Sequence, residues 1–245
     1  MQLVWLAIGI VVFHMKFKAV LFDVDGTLAD TEQLGHLPAC NEAFVQMGLP
    51  LVWDWEYFNQ ELFAIQGNAN RLRHELKLKF QLSELEIESI IKEFEPLKKD
   101  LYISRFLPSL ELREGVVEFI HKAKNAGLLL SIVSTSYESQ IRALLRNQLA
   151  DYYDSFNPIL GKESGQKTGV NGLLYEKCLN ILKLSPHECL VIEDSEIGSK
   201  AAIKAGILTI VTYNDYTKNE NFDGAALVVS SLNKLDFDKI VKGSF

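Results

Sequence analysis

At 245 residues, with 25 basic against 32 acidic side chains and a formal charge of −7, the chain is long enough for one large α/β domain that carries a second, smaller module. It has no basic footprint for nucleic acid and reads as a soluble protein, for which a monomer is expected. Cys40, Cys178 and Cys189 stand in no Cys-x-x-Cys spacing, so neither a disulfide framework nor a zinc knuckle is indicated and a reducing, cytoplasmic setting is expected.

The chain opens on an apolar run over residues 3–13, eleven residues in all, too short for a bilayer span of roughly 20. No positive residue precedes it and no small-residue cleavage site follows it, which argues against a signal peptide. We read Met15 as the natural start and residues 1–14 as an upstream extension, in competition with a membrane-surface anchor or an extra core segment. No stable membrane insertion is expected.

The run Ala19-Val20-Leu21-Phe22 leads directly into Asp23-Val24-Asp25-Gly26-Thr27-Leu28. A continuous apolar run closed by a Gly-containing turn predicts a central strand of a parallel sheet, and ligands collect at the carboxyl ends of such strands. Asp23 and Asp25 share a face in extended backbone, so their carboxylates converge and repel unless a cation joins them. The competing reading is a plain Asp-Gly turn.

From residue 32 to about 106 the strand signal disappears and helical spacing takes over, as in Ala39, Ala43, Phe44 and Met47. Further helices are predicted over 56–65 and 68–80. Ser83-Glu84-Leu85-Glu86 has capping-box spacing and opens a long amphipathic segment that Pro96 could kink. Beyond Pro108 helices at 115–126, 136–148, 172–184 and from 197 alternate with strands at 128–133, 157–160, 189–192, 208–211 and 226–229. That alternation predicts an α/β fold, a doubly wound parallel sheet, with a helical module inserted after its first strand. The expected division is a core of residues 15–31 and 107–245 around a helical insert of 32–106.

Later strand ends carry matching chemistry. One strand runs into Ser134-Thr135-Ser136, hydroxyls at a helix start where free N–H groups favour an anion, although Ser136 could simply cap that helix. Another runs into Glu193-Asp194-Ser195. With Asp23 and Asp25 these acids make a hard oxygen site suited to Mg2+.

Asp23-Val24-Asp25-Gly26-Thr27-Leu28, Ser134, and Glu193-Asp194-Ser195 with Gly198 and Ala201-Ala202-Ile203-Lys204-Ala205-Gly206 together resemble the signature motifs of the haloacid dehalogenase-like (HAD) hydrolase superfamily. The resemblance covers the chain from about Lys16 onward and identifies the helical insert with that superfamily's small α-helical cap over a Rossmann-like core. It implies a phosphotransferase rather than a dehalogenase, because Asp25 follows two residues after Asp23. It further implies Asp23 as nucleophile, Asp25 as acid and base, Mg2+ on Asp23, the carbonyl of Asp25 and Asp194 with Glu193 nearby, and Ser134 and its neighbours on the phosphoryl oxygens.

The superfamily's phosphate-binding Lys has no obvious counterpart. The loop reads Gly165-Gln166-Lys167-Thr168-Gly169 with no Pro. Lys167 is chosen, Lys162 is second, and a solvated surface Lys is the alternative. Ala29-Asp30-Thr31-Glu32 and Ile65-Gln66-Gly67-Asn68-Ala69-Asn70-Arg71 are similar to the β-phosphoglucomutase and CbbY-like subfamily, with Arg71 matching and Ala69 standing where that subfamily has a Lys. Arg113-Glu114-Gly115 keeps an Arg and a Gly but not the Pro between them. Arg71 is read as a substrate contact or a solvated helix residue. His36, displaced by the extra Gly35, is read as a partner of Asp25 or of substrate, or as a partly buried cap histidine.

The expectation is a Mg2+-dependent phosphatase of a small phosphorylated metabolite, a sugar phosphate, working through an aspartyl-phosphate. A phosphohexomutase is the alternative, and a catalytically silent sensor or scaffold is the second.

Overall fold

A computed structural model of the chain describes residues 17–169 and 173–243. The apolar stretch at residues 3–13, with its competing readings, lies outside the described residues. Among the described residues six strands, β1 Ala19–Phe22, β2 Leu129–Val133, β3 Phe156–Leu160, β4 Cys189–Glu193, β5 Leu208–Thr212 and β6 Leu227–Val229, form one sheet in the order β3-β2-β1-β4-β5-β6. Every pairing is parallel. Phe22 stands in register with Ile132 on one side and Ile192 on the other, so β1 lies at the point where the winding reverses and a crevice opens.

The helices are α1 Leu37–Gln46, α2 Trp55–Tyr57, α3 Asn68–Phe80, α4 Glu84–Leu101, α5 Val116–Asn125, α6 Glu138–Gln148, α7 Leu173–Leu182, α8 Glu196–Lys204 and α9 Phe237–Val241. Alternate residues of β1 point to opposite faces and meet different layers. Val20 and Phe22 join Phe119 and Ile120 of α5 and Ile141 and Leu144 of α6. Ala19 and Leu21 join Leu174 and Cys178 of α7 and Ala201 and Ala202 of α8. Both faces are dry, which is why the strand is apolar at every position rather than at every second one. The protein is an α/β fold, a doubly wound parallel sheet of Rossmann type.

Every element described between residues 32 and 106 is helical, and these helices close over their own core of Phe44, Trp53, Phe58, Leu72, Ile87, Ile91 and Phe94. Fully burying side chains of this size contributes about 1.5–3 kcal/mol each, so the cap has an apolar reason to hold together. α4 begins with the predicted capping box on Ser83 and Glu86 and runs through Pro96 to Leu101.

Two local expectations change. The helix after β2 starts at Glu138 rather than Ser136 and its N-cap, Tyr137, makes no side-chain cap bond. Ser136 therefore caps nothing and its hydroxyl is available elsewhere. The extra Gly35 is absorbed by a π-helical turn at Glu32–His36, a wider turn that accommodates one more residue than an α-turn and that often occurs at functional sites. A β-carbon on Gly35 would meet the Tyr102 ring at 2.7 Å, so only glycine lets this turn lie against Tyr102.

Candidate active site

The site has two poles around the end of β1. At the core pole, the Asp23 amide donates to Ile192 O at 3.0 Å, carrying the ladder one residue past the strand. The Lys167 ammonium lies 2.5 Å from Asp23 Oδ1 and 2.5 Å from Glu193 Oε1, with all three side chains buried. Lys162, the second choice, lies at the rim, where its ammonium donates to Tyr137 Oη at 2.8 Å and to Glu95 at 3.3 Å. Asp23, Glu193 and Asp194 bring carboxylate oxygens within 4.8 Å of one another.

Each acid is tethered. Glu193 Oε2 accepts from the Asp194 amide at 3.0 Å and from the Ser195 amide and hydroxyl, both at 3.1 Å. Asp194 accepts from Thr27 Oγ1 at 3.2 Å and Asn214 Nδ2 at 2.8 Å. The turn that carries Thr27 depends on Gly26, whose φ is +81° and where a β-carbon would fall 2.2 Å from Asp194 Oδ2.

The charges do not balance: three carboxylates face the Lys167 ammonium, and the Arg113 guanidinium, which acts on Asp194 from outside the cluster, still leaves negative charge over. Burial, with the charges of Glu193 and Asp25 added, pushes Asp23 up to about 7 against the pull of Lys167. Burial and the neighbouring Glu193 and Asp23 push Asp194 well above the usual carboxylate range. Burial works against the Lys167 ammonium, but Asp23 and Glu193 outweigh it and hold the group well above an ordinary lysine. A pocket of tethered, converging oxygens with an uncompensated negative charge fits a small hard divalent cation.

At the cap pole, Asp25 turns away from that cluster. Thr31 Oγ1 donates to its Oδ1 at 2.6 Å, the Ser136 hydroxyl donates to its Oδ2, and His36 Nε2 lies 3.3 Å from Oδ1. The buried Lys98 ammonium, from α4, reaches His36 Nδ1 at 2.7 Å. An ammonium only donates, so Nδ1 accepts and Nε2 carries the hydrogen that faces Asp25. Tyr102 stacks on the imidazole, with ring centroids 4.2 Å apart. Burial alone would raise Asp25, but the bond and charge of His36, then Ser136 and Thr31, hold it far below the usual carboxylate range. Burial makes the Lys98 ammonium easier to deprotonate than an exposed lysine.

The other predicted residues divide. Ser134 is buried, and its Oγ accepts from the Ser136 amide at 3.1 Å, shaping the loop from beneath. Thr135 and Ser136 line the cleft itself. Arg71 also lines it, yet its guanidinium is committed to Leu62 O at 3.1 Å, Ile65 O at 2.9 Å, Asn68 Oδ1 at 2.8 Å and Glu32 at 3.1 Å. It also lies 4.6 Å over the Phe58 ring, so it is neither a solvated helix residue nor a free cation. Cap and core meet around the cleft where Glu95 accepts from Tyr137 Oη at 3.0 Å and where Tyr216 packs 5.5 Å from Trp55 and 5.2 Å from Phe63.

Sequence reading misses Lys98, Thr31 and Asn214, and of its two readings of Ser136, a phosphate-side hydroxyl or a helix cap, the cap does not hold. Lys98 left a trace, since it continues the apolar stripe Ile87, Ile91, Phe94, and a lysine on a core stripe asks for a buried partner. Asn214 left none, because an Asn after a strand is ordinary turn chemistry.

The haloacid dehalogenase-like hydrolase profile matches residues 17–206. The chain is 35% identical over 221 residues to the plasmid-encoded protein CbbY of Cupriavidus necator, covering 88% of this chain and 85% of the relative. CbbY from Rhodobacter sphaeroides, solved with phosphate, superposes with a TM-score of 0.77 at 31% identity, over 89% of this chain and 96% of that one. A mutant of the same protein, solved with xylulose-(1,5)bisphosphate, matches with the same TM-score of 0.77 at 30% identity, over 89% and 96% of the two chains. Among the described residues no helix is long and apolar enough to cross a membrane. This chain belongs to the haloacid dehalogenase-like hydrolases, as a CbbY-like enzyme of the phosphoric monoester hydrolase type.

Proposed function

We propose that the protein hydrolyses the phosphate ester of a small sugar, as a cytoplasmic enzyme, through an aspartyl-phosphate on Asp23. The observation that carries this reading is the opposite treatment of two acids in one turn, Asp23 against the Lys167 ammonium and Asp25 under three hydrogen-bond donors. The R. sphaeroides relative was solved with a sugar bisphosphate, which supports a sugar for this chain as well.

In the first step a carboxylate oxygen of Asp23 bonds to phosphorus as the ester P–O bond breaks, and the leaving oxygen takes a proton from Asp25. In the second, water attacks the phosphorus, Asp25 receives the water's proton, and the Asp23–P bond breaks to release phosphate. The His36 and Lys98 relay favours ionised Asp25, the form that activates water. Protonating the leaving oxygen requires that some of this support be withdrawn, and Ser136, at the cleft surface, is the donor that an entering substrate meets. Lys167 keeps Asp23 oriented and sets a positive charge beside the transferring group.

Asp23 and Asp194, with the carbonyl of Asp25 and with Glu193 beside them, would hold Mg2+, which when bound neutralises carboxylate and phosphoryl charge. Thr135 and Ser136 reach the phosphoryl group from the wall, and Ser134 holds their loop. Arg71 shapes the cap wall through Glu32 and Asn68.

A panel of phosphorylated sugars assayed for released phosphate tests the reading. Release in Mg2+, lost in Asp23→Asn, is expected. Isomer interconversion with little free phosphate would instead identify a mutase, and no turnover of any member would sink the enzymatic reading of the site.

A further inference from the structure

Both oxygens of Asp194 are held by groups from elsewhere in the fold, Oδ1 by Thr27 and Oδ2 by Asn214. The Asn214 amide cannot turn freely. Its Oδ1 accepts from the Tyr216 amide at 3.2 Å, the Thr217 amide at 3.0 Å and the Thr217 hydroxyl at 3.1 Å, which leaves the NH2 end for Asp194 and, at 3.4 Å, for Gly26 O. The donors to Asp194 thus hang on two segments, the Gly26 turn after β1 and the loop after β5. No ladder joins these segments, because β4 lies between β1 and β5.

Besides the 3.4 Å bond from Asn214 to Gly26 O, a side chain from a third segment joins them. Arg113, on the return from cap to core, donates from one terminal nitrogen to Gly26 O and, at 2.6 Å, to Thr212 O. The other terminal nitrogen donates to Tyr213 O at 2.6 Å and Ser230 O at 3.1 Å. Its backbone amide also bonds Leu28 O at 2.8 Å. The guanidinium pairs with carbonyls rather than with a carboxylate, and Arg113 is not among the residues that line the cleft. Its planar fork makes four bonds to carbonyls from three segments, one more than the three N–H donors of an ammonium allow.

We propose that Arg113 is a positioning residue for cation binding: by clamping the Gly26 turn to the loop after β5 it sets where Thr27 and Asn214 hold Asp194. The inference rests on the reading of Asp23 and Asp194 as the cation site. It assigns to Arg113 an effect on metal affinity rather than on contact with substrate.

Full-length protein stripped of metal is titrated with Mg2+ by calorimetry, and turnover is followed against Mg2+ concentration, for the unmutated chain, Arg113→Met, Arg113→Lys and Asn214→Ser. Outer-shell changes of this kind weaken metal binding about 10–100-fold. That loss is expected in Arg113→Met and Asn214→Ser, with partial recovery in Arg113→Lys and with kcat restored at saturating Mg2+. Unchanged Mg2+ affinity in the Arg113 variants overturns the proposal whatever happens to turnover. If Arg113→Met does not fold, Arg113→Lys decides, since it keeps the charge and loses the fork. An unmutated protein that binds no Mg2+ overturns the cation site itself, a result distinct from variants that match a binding wild type.

Discussion

The core pole and the cap pole of the cleft each hold an acid from one short turn, and they treat it in opposite ways. Asp23 sits among Glu193, Asp194 and one ammonium and is pushed up to about 7 by burial and like charge. Asp25 is part-buried and its burial also favours the proton, but His36, Ser136 and Thr31 outweigh that and hold it low. The cap pole is balanced by its own side chains, whereas the core pole is short of positive charge. The difference teaches where an external cation belongs, and why two residues with the same side chain serve different steps.

The hardest blow to this contrast is Asp23→Asn, which removes the nucleophile and is expected to cost at least ~10^4 in phosphate release while the fold is retained, as circular dichroism would verify. Next is Lys167→Met. It leaves three buried carboxylates without their ammonium, so a loss of about 3–5 kcal/mol in denaturant unfolding is expected, since breaking a buried pair strands its partner. Turnover should fall about 10^2–10^3-fold. Equal stability of this variant and the wild type would show that the core pole is not held by the pair.

Lys98→Met attacks the other pole. Without the ammonium behind it, His36 supports ionised Asp25 less well, so Asp25 rises and the acid limb for breakdown of the aspartyl-phosphate, the step that uses ionised Asp25, moves to higher pH. The loss is expected to be about 10-fold or more at the acid end of the profile and small at neutral pH. An unmoved acid limb would remove Lys98 from the relay.

pH sharpens the comparison, because the two acids have opposite linkage. An unfolded aspartate titrates near 3.8 whereas folded Asp23 keeps its proton to about 7. Across that window the metal-free native chain binds more protons than the unfolded one, and Asp23 subtracts stability as pH rises. Asp25 does the reverse: its low folded value adds stability above about 4, lost as pH falls further. Mg2+ competes with the Asp23 proton, so the gap in melting temperature between Mg2+ and chelator should widen from pH 5 to pH 8. A gap that narrows would contradict the assignment of the cation to the core pole. The mildest test is Gly35→Ala, which must displace the Tyr102 ring and is expected to cost about 1–3 kcal/mol of stability, as overpacking does, with a modest fall in turnover through His36.

Much of the core pole was legible because its chemistry is local. Asp23 and Glu193-Asp194 each follow a short apolar run, so a predicted strand with an acid at its end sufficed. Lys167 was reachable only through the family resemblance, which expects a lysine in the segment before Glu193-Asp194. The cap pole was harder. His36 is 11 residues beyond Asp25, and only the π-turn at Glu32–His36 returns the imidazole to it. Lys98 comes from α4 on the far side of the insert, and Ser136 changes meaning because its helix starts two residues later.

The chain by itself determined the alternation of strands and helices, the apolar run of β1 and the acids at the strand ends, because burial and periodicity act over a few residues at a time. Only the tertiary structure decided which charges meet. Lys167, Lys98, Asn214 and Arg113 are each far in sequence from the groups they serve, and their pairing follows from the strand order and from the cap folding back over β1. Their energies depend on burial, and burial is a property of the packed molecule rather than of any segment.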